Sequence, residues 1–152
     1  MTKIIIDSNI AFSAMLNVNS RIGQIIINGF RFYKLYAPEY IRYELFEHQD
    51  KIKEVAHLSN NDFLETYELI IRNITVLNHS ILPIEYYKTA VELCKSIDID
   101  DTVFVAFTLF MNGKLWTGDK RLLKGLSDKN FEQFVTTDEL YTDFIRKDRS
   151  KK

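Results

Sequence analysis

The chain has 152 residues with a formal net charge of −1; hydrophobic residues make up 46% of it and charged residues 27%. These proportions are typical of a folded globular domain and exclude a disordered or low-complexity chain. The single cysteine, Cys94, excludes an internal disulfide and a structural zinc site and is expected to be buried and inert. No apolar segment is long enough for a signal peptide or a membrane span, so we expect a cytoplasmic protein without a membrane partner.

Charge is unevenly distributed along the chain. Residues 1–113 contain 10 basic and 14 acidic residues, whereas residues 114–152 contain 10 basic and 7 acidic residues. The last segment, 146–152, carries five cations and one anion. We interpret residues 1–145 as a single domain and 146–152 as a basic, frayed C-terminal tail.

Short β-branched runs alternate with apolar residues at helical spacing. The predicted strands are 3–6, 32–37, 74–77, 114–117 and 131–136. Helical spacing is found over 10–16, 22–26, 40–46, 63–74, 87–94, 103–110 and 140–144. This alternation predicts an α/β fold in three α/β/α layers around a mainly parallel sheet, with the third strand at one edge and the fifth at the other.

Four acidic residues occupy positions where carboxylates are costly unless they are paired or bind a metal. Asp7 follows the first predicted strand and Asp119 the fourth, so both are expected at the carboxyl edge of the sheet. Asp101 begins a helix that is apolar almost all round, and Glu44 lies inside another. Converging carboxylate oxygens favour Mg²⁺ or Mn²⁺, which suits phosphodiester hydrolysis.

Each of these residues also has a simpler interpretation. Asp7 can act only as a helix cap, and Glu44 can be a solvated helix residue. Asp98, Asp100 and Asp101 can be turn formers and a helix cap, and Asp119 can be a turn residue. The positions of these residues in the sequence are compatible with both a shared metal site and these separate structural roles.

Four motifs, taken in order, resemble the PIN domain family over nearly the whole chain. The first predicted strand ends in Asp7-Ser8-Asn9, as Asp-x-Asn does in the family. Glu44 occupies the acidic position in the helix after the second strand. The stretch from Asp101 to Ala106 matches Asp-x-x-x-x-Ala, and Thr117-Gly118-Asp119 matches Thr-x-Asp.

The resemblance implies a five-stranded parallel sheet of order 3-2-1-4-5 between helices, and a divalent-metal-dependent nuclease that acts on RNA. The metal ligands and catalytic residues that it implies are Asp7, Glu44, Asp101 and Asp119, with Asp98 as an extra candidate ligand. Asn9 and Thr117 are the implied polar neighbours of this cluster. In-line attack by a metal-bound water would leave a 5′-phosphate and a 3′-hydroxyl.

The expected partners follow from the resemblance and from the distribution of charged and apolar residues. RNA would contact Lys120 and Arg121, which directly follow Asp119, and would be steered by the cations of residues 114–152. Bacterial and archaeal members of the family commonly serve as the toxin of a toxin–antitoxin pair, which adds a small antitoxin as a candidate partner. Apolar and aromatic residues are dense over residues 20–43, which suggests a homodimer or partner interface. The alternative function is a catalytically inactive module of the same fold that binds nucleic acid or protein.

Overall fold

Five parallel strands form the central layer of the computed structural model, which describes residues 1–150. They are β1 (Thr2–Ile6), β2 (Tyr33–Pro38), β3 (Thr75–Leu77), β4 (Lys114–Trp116) and β5 (Phe134–Val135). Their order is β3-β2-β1-β4-β5, and every neighbouring pair is parallel. The predicted sheet, its order and its two edge strands are confirmed.

Helices connect the strands throughout the described residues. They are α1 (Ser8–Leu16), α2 (Arg21–Asn28), α3 (Tyr40–Glu47), α4 (Gln49–Ala56), α5 (Asn60–Ile71), α6 (Ile84–Cys94), α7 (Thr102–Met111), α8 (Lys120–Asp128) and α9 (Thr137–Ser150). Single turns of 3₁₀ helix occur at Gly29–Arg31, His79–Ile81 and Ile99–Asp101. The sequence did not predict α4 and α8. Each is short and largely polar and buries only one or two side chains, so it contains few apolar residues from which a helix could be recognised.

Alternation along β1 divides the interior into two cores. Ile4 and Ile6 face a core formed with α1, α2, α5 and α9, whereas Ile5 faces a core formed with α6, α7 and α8. A strand that is buried on both faces has an unbroken run of apolar residues, and residues 4–6 are such a run. The two cores give the predicted three-layer arrangement.

The carboxyl ends of β1 and β4 are fixed by polar contacts. β1 runs directly into Asp7, whose carboxylate accepts a hydrogen bond from the backbone N–H of Ile10 at 2.9 Å and so caps α1. Trp116, at the end of β4, is fully buried, and its indole N–H donates to the Thr137 hydroxyl at 3.0 Å. This bond joins β4 to the start of α9. The ends of both strands are therefore held in place beside the residues that follow them.

The basic segment at the end of the chain is ordered further than the sequence suggested. Residues 146–150 continue α9, rather than forming part of a frayed tail. The Arg146 and Lys147 side chains both pair with Asp143, and Arg31 pairs with Asp148 at 2.8 Å. These i,i+3, i,i+4 and interhelical contacts stabilise the last turns. Lys151 and Lys152 lie outside the described residues, and the division into a 1–145 domain and a tail stays a prediction.

The aromatic-rich region 20–43 is divided between the core and the surface. Phe32 and Tyr33 are buried, whereas Tyr40 and Tyr43 are 42% and 58% exposed and stack on each other. The homodimer stays a prediction. Cys94 is fully buried, as predicted, and burial raises the pKa of its thiol to about 11.

Within residues 1–150, no single helix has the length and apolar character needed to cross a bilayer. One sharply bent pair, Ser8–Leu16 with Arg21–Arg31, meets that requirement only when the two are counted together.

Candidate active site

A pocket of about 150 Å³ opens at the carboxyl edge of the sheet, where β1, α3 and the turn before α7 meet. Its lining is mostly acidic and consists of Asp7, Ser8, Asn9, Glu44, Asp98, Asp100, Asp101 and Phe104. The structure thus brings three of the four predicted ligands into one pocket, together with the extra candidate Asp98 and the predicted neighbour Asn9. Ligands of open α/β sheets bind at this edge.

Asp7 is the most deeply placed of these carboxylates, with only 3% of its surface exposed. Burial raises its pKa to about 6, because removal from water disfavours the charged form and outweighs the hydrogen bonds from Thr117 and Ile10. The charges of Asp119 and Glu44 add to the rise. Asp7 therefore both caps α1 and lines the pocket, so the two interpretations open at the sequence level are compatible.

Asp101 lies at the start of α7 and makes no side-chain capping hydrogen bond. Its pKa is raised to about 7, first by burial and then by the charge of Asp98, with Asp7 and Asp119 contributing less. Asp98 is exposed, and its carboxylate accepts a hydrogen bond from the Asp100 N–H at 3.0 Å in the preceding 3₁₀ turn. Asp98 is thus both a turn former and a member of the pocket lining.

Glu44 is half-buried on α3 and accepts a hydrogen bond from the Ser8 hydroxyl at 2.6 Å. Sequence reasoning assigned no role to Ser8, although its place in the Asp-x-Asn motif could have pointed to the pocket. This hydrogen bond joins α1 to α3 and holds the Glu44 carboxylate at the pocket. Ser8 is therefore a positioning residue for this carboxylate.

Asp119 is not part of the pocket lining. Its carboxylate caps α8 by accepting a hydrogen bond from the Leu122 N–H at 3.1 Å, and its own N–H donates to the Thr117 hydroxyl at 3.2 Å. Its charge nevertheless raises the pKa of both Asp7 and Asp101. Asp119 therefore belongs to the same electrostatic cluster, beside the pocket.

The cations of residues 114–152 do not surround the acidic pocket as expected. Lys114 and Lys147 line a different pocket, together with Thr2 and Tyr33 at the amino ends of β1 and β2. Because α9 starts beside the carboxyl end of β5 and runs back along the sheet, its basic end lies at the opposite edge. Lys114 and the basic end of α9 therefore lie away from the acidic residues, and the steering of RNA by residues 114–152 stays a prediction.

Lys120 and Arg121 remain near the acidic cluster. They begin α8 directly after Asp119, both are exposed, and neither forms an ion pair with any residue of 1–150. They are available to an anionic ligand.

The donor set was compared with the needs of a divalent ion. Within residues 1–150, no three carboxylate, histidine or cysteine side chains stand close enough to form a ready-made metal cage. Mg²⁺, however, is commonly bound through one or two carboxylates, with waters and substrate phosphates completing its shell. The buried Asp7 and the partly buried Asp101 supply carboxylate oxygens, and no neighbouring cation neutralises their charge. The chemistry of the lining therefore fits such an ion.

Comparison with known proteins places this arrangement in a family. Residues 5–142, which span β1 to α9, match the PIN domain. The chain belongs to the PIN domain family. Among solved structures, this PIN domain is similar to the crystal structure of VapBC2 from Rickettsia felis bound to a DNA fragment from their promoter. The TM-score is 0.60 with 13% identity, over 88% of this chain and 96% of that chain, so the likeness is one of fold. No curated protein matches the chain significantly.

Proposed function

We propose that this PIN domain is a divalent-metal-dependent endoribonuclease. The observation that carries the proposal is the pocket at the carboxyl edge, where Asp7, Glu44 and Asp101 meet without a neutralising cation. A binding module for RNA would gain nothing from carboxylates that repel phosphates. Carboxylates with raised pKa values in a cleft, as Asp7 and Asp101 have here, are typical of functional sites.

The residues have distinct roles in this proposal. Asp7 and Asp101 would hold Mg²⁺ or Mn²⁺, with Glu44, Asp119 and Asp98 at the border of the cluster. The ion would lower the pKa of a bound water and neutralise charge on the phosphate.

The chain's own polar groups would keep these ligands oriented and guide the substrate. The Ser8 hydroxyl orients Glu44, and Thr117 orients Asp7. The exposed side chains of Lys120 and Arg121 would contact phosphates of the RNA.

The biological setting is proposed on the same basis. Family membership, with VapBC2 as a structural neighbour, supports a role as the toxin of a toxin–antitoxin pair with a small antitoxin protein as partner. One free, fully buried cysteine fits a cytoplasmic location. Co-expression with the product of an adjacent small gene would test the pairing, and cleavage that persists in the purified complex would contradict it.

The enzymatic proposal is tested by RNA cleavage with Mg²⁺, with Mn²⁺ and with a chelator. Asp7→Asn keeps the side-chain shape and the capping oxygen but removes the charge, so we expect cleavage to fall at least about 10²-fold. The matched control is Asp128→Asn, an exposed position at the end of α8, which should cleave like the parent. Cleavage undiminished in chelator, or in Asp7→Asn, would leave only a binding function.

A further inference from the structure

A second pocket, of about 210 Å³, adjoins the acidic one. It lies between α1, the end of α3 and the start of α4, and is lined by Ser8, Asn9, Phe12, Glu44, Leu45, His48 and Lys51. Ser8, Asn9 and Glu44 line both pockets. The two pockets therefore form one continuous surface, and a ligand held in the second would extend from the first.

The second pocket differs in charge from the first because it contains a lysine. Lys51 is exposed on α4, and its ammonium makes no hydrogen bond or ion pair with any residue of 1–150. Lys53, two residues further on, is instead satisfied: its ammonium donates to Gln49 at 3.1 Å and lies over the Phe63 ring. Lys51 is thus a cation available to an anion, next to a carboxylate of the acidic pocket.

The other distinctive part of the second pocket is a pair of rings. Phe12 and His48 meet edge to face, with centroids 6.0 Å apart and planes at 81°. His48 is held firmly at the junction of α3 and α4. Its Nδ1 lies 2.9 Å from the Glu44 carbonyl, which can only accept, so Nδ1–H donates; the His48 backbone N–H donates to the same oxygen at 3.1 Å. The ring therefore has a set orientation before any ligand binds.

We infer that the second pocket binds the nucleotide next to the scissile phosphate, with Lys51 contacting its phosphate and Phe12 and His48 contacting its base. The inference deepens the proposed ribonuclease function and rests on it. A single-stranded nucleotide combines an anionic phosphate with a flat ring, and proteins bind such nucleotides by pairing cations with aromatic faces, histidine included. The lining offers both, directly beside the pocket in which cleavage would occur.

The test measures binding of a short, fluorescently labelled single-stranded RNA of mixed sequence as a function of salt. The Asp7→Asn background keeps the RNA intact. Loss of one phosphate contact on single-stranded RNA reduces the slope of log K against log salt by about 0.7. We expect Lys51→Gln to reduce the slope by that amount, whereas Lys53→Gln, which removes the same charge from the same helix, leaves it unchanged.

Two further variants test the aromatic part of the pocket. Phe12→Leu keeps an apolar side chain packed on α1 but removes the ring, and His48→Gln removes the other ring. Each is expected to weaken RNA binding roughly tenfold, the loss of one stacking contact. Thermal melting of each variant separates this effect from unfolding. If Phe12→Leu lowers the melting temperature, the contact between the rings and the base is tested with His48→Gln alone, because this variant alters an exposed side chain.

The outcomes separate the inference from the proposed function. An unchanged salt slope in Lys51→Gln, or unchanged affinity in both aromatic variants, overturns the inference even if the parent protein cleaves RNA. A parent protein that binds RNA with the expected variant effects but cleaves nothing supports the subsite and overturns the enzymatic proposal. No RNA binding by the parent overturns both. Loss of binding to a co-expressed small protein in Lys51→Gln, with RNA binding intact, would assign the pocket to that protein instead.

Discussion

Partly buried acidic groups have opposite pKa shifts at the two edges of the sheet. At the carboxyl edge, burial and neighbouring carboxylates raise the pKa of Asp101 to about 7. Near the amino edge, burial alone would raise the pKa of Asp143, but hydrogen bonds from Tyr33, Lys147 and Arg146 outweigh it and hold the pKa at about 2. The Tyr33 hydroxyl donates to Asp143 at 2.5 Å, and Lys147 lies 3.0 Å from the same carboxylate.

The difference indicates which acidic group serves the fold and which is available to a ligand. A carboxylate surrounded by donors is a structural element, because its charge is already neutralised locally. A charged carboxylate next to other carboxylates destabilises the folded state until a bound cation neutralises the charge. The amino edge therefore provides built-in controls for experiments on the carboxyl edge.

The largest expected effect comes from comparing the same Asp→Asn substitution at the two edges of the sheet. Asp101→Asn removes a proposed metal ligand and should lower RNA cleavage at least about 10²-fold. Asp143→Asn should leave cleavage of the folded protein unchanged, because its contacts lie at the far edge. Initial rates in Mn²⁺ at saturating RNA measure both. Equal losses in the two variants would mean that the two edges do not differ in function.

The second prediction concerns unfolding at different pH values. Asp143 has a lowered pKa when folded, so its stabilising contribution is present above about pH 4 and is lost as the pH falls toward 2. Asp143→Asn should therefore cost about 1–2 kcal/mol of unfolding free energy at pH 7 and little at pH 2, after allowance for partial solvent exposure. Urea unfolding at the two pH values measures the change.

Asp101 should behave in the opposite sense in chelator. Its folded pKa is raised, so the folded state carries no penalty below about pH 4 and the full penalty above about pH 7. Stability is therefore lost as the pH rises through this window, and Asp101→Asn should recover about 1 kcal/mol at pH 8, a value reduced for screening by solvent. A destabilised Asp101→Asn at pH 8 would contradict the electrostatic description of the pocket.

The smallest expected effect tests the role of Ser8 at the carboxyl edge. Ser8→Ala removes the 2.6 Å hydrogen bond to Glu44 but leaves every carboxylate in place. We expect cleavage to fall about five- to tenfold, which corresponds to about 1 kcal/mol, with a smaller change in melting temperature than Asp143→Asn. Ser8→Thr retains a hydroxyl and should recover part of the loss. No difference between the Ala and Thr variants would remove Ser8 from the positioning role.

The sequence predicted the strands, and the position of Asp7 at the carboxyl edge, because both leave strong local signals. Residues 4–6 are an unbroken β-branched run, and Asp7 ends it at the point where a parallel sheet collects its ligands. The alternation of strands and helices then placed Asp7 and Asp119 at one edge. The resemblance to the PIN domain supplied Glu44, which no local pattern distinguishes from a solvated helix residue.

The parts of the site that the sequence did not predict depend on the direction in which the helices run and on which helix faces lie at the site. Lys51 lies on α4, a short helix with too few apolar residues to be predicted, so its place beside Glu44 could not be inferred. The basic end of α9, predicted as part of a frayed tail, lies near the amino edge. Its 14 residues extend roughly 20 Å, about 1.5 Å per residue, which is enough to return the chain to the amino ends of the strands. Counting that length would have separated Lys147 from the acidic cluster.

The position of Trp116 gives the protein an optical reporter. It is the only tryptophan of the chain, it is fully buried, and it directly precedes Thr117, which contacts Asp7. Its indole N–H is bonded to Thr137, so the ring is shielded from water and held still. Emission from this ring should be characteristic of a dry environment, and paramagnetic Mn²⁺ entering the carboxyl edge should quench it. Ion occupancy could thus be followed in the unlabelled protein, without RNA and without turnover.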